Sequence, residues 1–330
     1  MKGLIISFLI IIPVLCNSQE INYPGDIKPK DSAILFAPGL INTGLYTRDF
    51  SMSPDGKEIY FSLMAGRAAV IMVSKYENGE WKEPIVAPFS GSKEFFDFEP
   101  HVSPDGKQIF FLSTRPQEGL DAKLGWANQN IFVVDRTDNG WSEPYDVGSP
   151  VNTENNEFYP SLTNNNKLYF NHSIKFTDVA IYCSQKENEK FLNPEKLSFK
   201  NDSNLLLFNA TVSRDDSFIL TCGSLKTNQN QTKYYVAFNL GNNKWSDLID
   251  LTDYLGYEGG RVASISLSPD GKYIFFSAII AIEENTTVYP EMKMSEIMEN
   301  RMKPQIGSSN VYWISSDFIR TLKENTFKNN

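Results

Sequence analysis

The sequence predicts an all-β protein, a β-propeller of five four-stranded blades closed by an edge strand from the N-terminal end, with six blades as the alternative count. Three observations predict it. The pentapeptide Ser-Pro-Asp-Gly-Lys stands at Ser53–Lys57, Ser103–Lys107 and Ser268–Lys272. Relaxed versions, Asn164-Asn165-Asn166 and Arg214-Asp215-Asp216, fall in phase with it, so that Asp55, Asp105, Asn165, Asp215 and Asp270 are spaced by 50, 60, 50 and 55 residues. The same short runs of residues flank every marker. A period of this length is the signature of a repeat architecture.

Each element follows from local chemistry. Proline sets φ for the second position of a type I turn, Asp tolerates the third, and Gly takes the positive φ of a bulged hairpin. The runs on either side are therefore antiparallel neighbours. Ahead of the turn lie Asp49–Ser53, Glu99–Ser103, Tyr159–Thr163, Asn209–Ser213 and Ser264–Ser268. Behind it lie the aromatic-rich Ile59-Tyr60-Phe61, Ile109-Phe110-Phe111, Leu168-Tyr169-Phe170, Phe218-Ile219-Leu220 and Ile274-Phe275-Phe276. A third strand recurs at Val70–Val73, Ile131–Val134, Ala180–Cys183, Tyr235–Phe238 and Val311–Ile314. An edge strand is announced by Trp81, Trp141, Phe191 and Trp245, the first three followed by a proline that an outer edge tolerates. The fifth copy stops after three strands, and Ala33–Pro38 resembles Glu83–Pro88 closely enough to supply the fourth. A short outer helix is expected at Asp317–Phe327.

The N-terminus reads as an export signal at residues 1–18: Lys2 precedes an almost unbroken apolar run from Leu4 to Leu15, too short to span a bilayer. Lipid anchoring at Cys16 is the alternative. Residues 19–32 read as a linker, 33–316 as one propeller domain and 317–330 as a helix and tail. The expected location is the periplasm or cell surface of a Gram-negative bacterium. No later stretch is apolar enough to cross a membrane. A net charge of −9 argues against nucleic acid. The remaining cysteines, Cys183 and Cys222, sit in different repeats and do not read as a disulfide scaffold.

These motifs resemble the TolB-like propeller repeats, also described as WD40-like, in which Ser-Pro-Asp-Gly-Lys and an aromatic strand mark the inner hairpin of each blade. The resemblance covers roughly Ala33 to Ile314. It implies an exported bacterial propeller, usually of six blades in that family. The motif specifies a turn, so it carries a fold and no activity.

The tight turns share one face of the disc, and the loops after the second strands share the other. Those loops, at Leu63–Ala69, Ser113–Gln129, Asn171–Asp178, Gly223–Lys233 and Ala278–Ser309, read as long and varied. A ligand is expected on their side, and the turn face is the less expected one. The candidate ligand residues at that channel mouth are Arg48, Asp49, Glu99, His101, Trp126, Tyr159, Asn209 and Arg261, with Phe95, Phe96 and Trp126 as stacking surfaces. A polar ring of this kind also suits a water-filled channel that binds nothing. His101 would line the channel or serve as a hydrogen-bonded structural residue. The only acid pairs to name for glycoside hydrolysis are Asp49 with Glu99 and Glu99 with Glu157. With His101 and His172 alone, and no ligand spacing around either, no metal or cofactor is expected. The segment Glu283–Met302 breaks the repeat and reads as a helical excursion or flap over the mouth. The expected function is a monomeric, non-catalytic binding or scaffolding module for a glycan or an envelope protein. A carbohydrate-active enzyme is the alternative.

Overall fold

A computed structural model describes residues 20–122, 125–175, 177–242, 244–257 and 264–328. It is all-β, with five antiparallel sheets arranged as a five-bladed propeller. Blade 1 runs Tyr46–Met52, Glu58–Ala65, Ala68–Glu77 and a broken edge of Glu80–Trp81 and Ile85–Val86. Blades 2, 3 and 4 repeat the plan from Asp97–Val102, Asn156–Leu162 and Leu205–Val212. Blade 5 has Ile265–Leu267, Tyr273–Ala281 and Ile306–Ser315, and its edge is Ile34–Leu35, paired through Ile34 with Trp313 and Leu35 with Tyr312. The ring is thus closed by both ends of the chain, which leaves no sheet edge open at the junction. A side-chain clamp marks the equivalence. Asn42 Nδ2 donates to Val311 O (2.9 Å) and its Oδ1 accepts from Val311 N–H (2.7 Å), as Asn152 does with Ile131 in blade 2 (2.8 and 2.9 Å). The expected leader and Cys16 lie outside the described residues.

The turn motif has a complete hydrogen-bond account. Ser53 Oγ donates to Asp55 Oδ1 (2.6 Å) and accepts the N–H of Glu58 (2.9 Å), while Asp55 Oδ1 accepts the N–H of Lys57 (3.1 Å). A hydroxyl is needed because it must donate and accept at once. Ser103, Ser213 and Ser268 repeat the pattern, and Thr163 with Asn165 keeps it in the degenerate third copy. The positive φ falls on Gly56, Gly106 and Gly271, and on Asn166 and Asp216 where glycine is missing. Asn and Asp are the residues that bear a left-handed conformation most readily. Hence the two degenerate turns still form.

Burial follows the pleat. Successive residues of the second strand point to opposite faces of the sheet, so each aromatic pair serves two junctions. Tyr60 packs toward blade 2 with Val102, Ile109 and Phe111, while Phe61 packs back toward blade 5 with Phe275 and Trp313. Phe110, Tyr169 and Leu220 continue the forward series, and Phe170, Ile219 and Phe276 the backward one. Phe50 and Phe275 stack with centroids 3.6 Å apart across the closing junction. The edge-strand tryptophans lie between blades as well: Trp141 Nε1–H donates to Tyr60 Oη (3.2 Å), and Trp245 meets the Tyr169 ring edge-on. Ile21 and Tyr23, from the stretch expected to be a linker, are buried in the blade 5–blade 1 junction. A helix at Asp317–Lys328 seats Ile319 and Leu322 on the junction of blades 4 and 5.

Two expected loops are absent as loops. The ladders run on to Ala65–Ala68 and Leu225–Asn228, leaving two-residue hairpins at 66–67 and 226–227. Neither segment announces a strand, because 65–69 is built mostly of small residues around Gly66 and 223–233 is largely polar, and a solvent-facing ladder end needs no apolar alternation. The excursion in blade 5 is helical, with Glu283–Thr286 and Met294–Arg301 between the second and third strands.

Candidate binding site along the propeller axis

In the inner strands of blades 1 to 4 the pairing slips at one place, between Arg48 and Ser51, Phe98 and His101, Phe158 and Ser161, and Phe208 and Thr211. The slip is a β-bulge. Its left-handed residues are Asp49, Glu99, Tyr159 and Asn209, with φ of 59°, 57°, 53° and 52°. The inner strands therefore begin about three residues earlier than the alternation suggests. The candidate ring lies within the strands and inside the channel, where its members are buried instead of standing at an open mouth.

The bulge turns these side chains toward the axis and toward each other. Arg48 Nε donates to Asp49 Oδ1 (2.7 Å) and its Nη2 to Glu99 Oε1 (3.3 Å). Glu99 Oε2 accepts the N–H of Tyr159 (2.9 Å), and Tyr159 Oη donates across the channel to Ile265 O in blade 5 (3.0 Å). Thr211 Oγ1 donates to the same carbonyl (2.7 Å). Asn209 N–H donates to Asn171 Oδ1 (2.8 Å) and Asp49 N–H to Ser264 Oγ (3.2 Å). Burial pushes the Glu99 carboxyl up to about 8; Arg48 opposes the rise and Asp49 adds to it. Burial weighs against the Arg48 cation, yet Asp49, Tyr46 and Glu99 together raise its pKa. This cluster fills the axis at mid-depth.

Below the cluster, toward the turns, a cavity of about 330 Å³ takes lining from all five blades: Met52, His101, Asn164, Arg214 and Ser266 each represent one. His101 Nε2 accepts the N–H of Leu162 in the next blade (2.9 Å), a job that Ser51 and Ser161 do for Val102 and Val212 with their hydroxyls (3.0 Å each). Burial, helped by the charge of Arg214, pulls the His101 pKa down to about 3, so the ring is neutral near pH 7. His101 bridges two blades and also lines the axial space. The cavity is on the turn face, opposite the one where a ligand was expected. The Ser and Asp side chains of the turns bond back into their own hairpins and leave this end of the axis open.

Trp126 lies on the loop side and packs on Phe96 and Phe98 (centroids 4.9 and 5.7 Å). Arg261 lies outside the described residues. Asp97 pairs with Arg115 and is fully buried, which raises its pKa despite that partner. Sequence reasoning missed a carboxylate–imidazole pair: Glu157 Oε1 lies 2.9 Å from His172 Nδ1, with Thr153 N–H and Oγ1 donating to the Glu157 carboxylate (3.0 and 2.6 Å). Glu157 and His172 face each other across the hairpin, so the register would have revealed it. No group of three His, Cys, Asp or Glu side chains that could hold a metal occurs among the described residues.

No protein-family model matches the chain, and no curated protein matches its sequence. Among solved structures it is similar to the α-L-arabinofuranosidase of Podospora anserina in complex with cellotriose (12% identity, TM-score 0.48, 84% of this chain and 91% of that one). It is also similar to TolB from Acinetobacter baumannii (16%, 0.46, 82% and 54%) and to a protein of unknown function from Dyadobacter fermentans (12%, 0.45, 77% and 79%). The chain spans about half the length of that TolB. Identities this low convey a shared fold alone.

Proposed function

We propose that the protein is an exported, non-catalytic binding propeller whose ligand occupies the axial cavity on the turn face. The observation that carries this reading is the cavity itself, lined by side chains from every blade, at the place where a closed ring of sheets concentrates concave surface. The lining mixes apolar Met52 and Leu162 with polar Asn164, Thr211 and Ser266, which suits a small polar ligand. Export rests on Lys2 and the apolar run to Leu15, and membership of the TolB-like repeat family on the turn motif.

The rival reading, hydrolysis by paired acids, needs carboxylates that can reach a substrate. Asp49 and Glu99 share Arg48 in the filled part of the channel, and Glu157 is fully buried against Thr153 and His172. The test is calorimetric titration of a panel of sugars, sugar acids and short peptides against the wild type and Ser266→Phe, which fills the cavity. Among the described residues Ser266 makes no side-chain hydrogen bond that the change would break. Binding that Ser266→Phe abolishes supports the proposal. Binding that survives it, or turnover of a labelled oligosaccharide, overturns it.

A further inference from the structure

Two of the cavity residues that break the repeat present N–H donors for which no partner is found among the described residues. Arg214 stands where Pro54, Pro104 and Pro269 stand in the other turns, and His101 where Ser51, Ser161 and Ser266 stand. Among the described residues no side chain bonds the guanidinium of Arg214, which is half-buried in the cavity wall. The neutral His101 ring accepts at Nε2, so its proton is on Nδ1, for which no acceptor is found either. From this geometry we infer that the cavity binds a ligand through a carboxylate group, held between Arg214 and the Nδ1–H of His101; the inference rests on the cavity being the binding site.

The acids that share the cavity wall are already engaged. Asp215 Oδ1 accepts from Ser213 Oγ (2.7 Å) and Ser217 N–H (3.1 Å). Asp270 Oδ1 accepts from Tyr23 Oη (3.0 Å), Ser268 Oγ (2.7 Å) and Lys272 N–H (3.2 Å). They hold turns together, whereas the guanidinium lacks a counter-charge in contact. Partial desolvation of the cation is costly, and burial accordingly lowers the Arg214 pKa, with nearby Asp270 and Tyr23 opposing the shift. A carboxylate arriving there would remove that cost and form the charge-assisted hydrogen bonds for which a guanidinium fork is shaped. The backbone at the site is fixed by Asn164 N–H donating to Arg214 O (2.8 Å), a bond that proline at 164 would forbid. Proline is therefore excluded at 164, while Arg214 takes the motif's proline position in the next turn with its carbonyl as the acceptor.

The experiment titrates acetate, the isosteric neutral acetamide and inorganic phosphate, at constant ionic strength, against protein with isotope-labelled Arg and His side chains followed by NMR. Acetate is expected to shift the Arg214 Nε–H and His101 ring signals saturably, and acetamide is not. Arg214→Pro and His101→Ser install residues already present at the equivalent places of other blades, so the fold should tolerate them. Each is expected to weaken acetate by about tenfold or more, the scale of a lost charged hydrogen bond. Equal response to acetamide, preference for phosphate, or acetate binding unchanged in Arg214→Pro overturns the carboxylate assignment. Should Ser266→Phe still abolish binding of a panel ligand in that case, the cavity remains the site. Should Ser266→Phe also be without effect, the cavity reading falls with it.

Discussion

The Ser hydroxyl of the turn motif and the carboxyl of Glu99 show how single groups set this propeller's stability. Ser103 Oγ accepts the N–H of Gln108 (2.9 Å) and donates to Asp105 (2.7 Å). Ser103→Ala leaves the Gln108 N–H without its acceptor and takes one of two donors from Asp105 Oδ1, and is expected to cost about 1–3 kcal/mol by chemical denaturation. Glu99 acts in the other direction. Its folded pKa, about 8, lies above the ordinary 4.5, so its contribution is complete below pH 4.5 and is lost as pH rises toward 8. Between those values stability should fall by up to about 1.4 kcal/mol per pH unit from this group. Glu99→Gln keeps one acceptor, enough for Arg48 but not also for the Tyr159 N–H, and cannot ionise, so whatever its starting stability its melting temperature should fall less than the wild type's between pH 5 and 8. Parallel curves for the two proteins would show that Glu99 is not raised. Removing the cation is harsher: Arg48→Met takes away the buried donor that Asp49 and Glu99 share and should cost about 3–5 kcal/mol.

The insertion of blade 5 is the element that most departs from the repeat. It rests on blade 1 where Gly44 lies so close to the chain that a Cβ would fall 1.6 Å from Arg301 O. Only glycine permits that approach. Ser308 Oγ reaches Gly44 O and Leu45 O from the same segment (3.3 Å each). Gly44→Ala should therefore lift residues 282–305 away from blade 1 and leave the five sheets intact. Limited proteolysis would show faster cleavage within that segment at an unchanged far-ultraviolet spectrum. Val288, Tyr289, Met294 and Met298 are about 60–70% exposed along the insertion. Oxidation of those methionines by dilute peroxide should accordingly precede that of Met52, which is buried.

At the scale of the whole molecule, closure by the two chain ends governs cooperativity. Ile34–Leu35 contributes little area itself, but Phe36, Tyr23 and Ile21 complete the junction that Phe50, Phe275 and Trp313 share. Each large side chain buried there is worth about 1.5–3 kcal/mol. Deleting residues 20–37 should open the ring, exposing the third strand of blade 5 and replacing a single urea transition by two. One sharp transition at an unchanged midpoint would mean that the ring does not need its clasp. The same closure creates the axial cavity, since its wall takes residues from all five blades.

Much of the fold was legible because the turn motif is local: Ser, Asp and a residue that tolerates positive φ define the hairpin within six residues, wherever it occurs. Blade count, strand order and the closing role of Ala33–Pro38 follow from copying that unit. The site was less legible. Arg48, Asp49, Glu99, Tyr159 and Asn209 could be named as a ring, yet their depth depended on a bulge that an alternating pattern does not reveal. The pairing of Glu157 with His172 needed a hairpin register. The open axis beneath the turns needed five blades in place, because whether a channel is filled or empty depends on side chains brought together from the entire chain. The sequence by itself determined the blades, since each is built from neighbours in the chain. Tertiary structure alone decided which face holds the cavity, and that Arg214 and His101, two departures from the repeat in different blades, line it together.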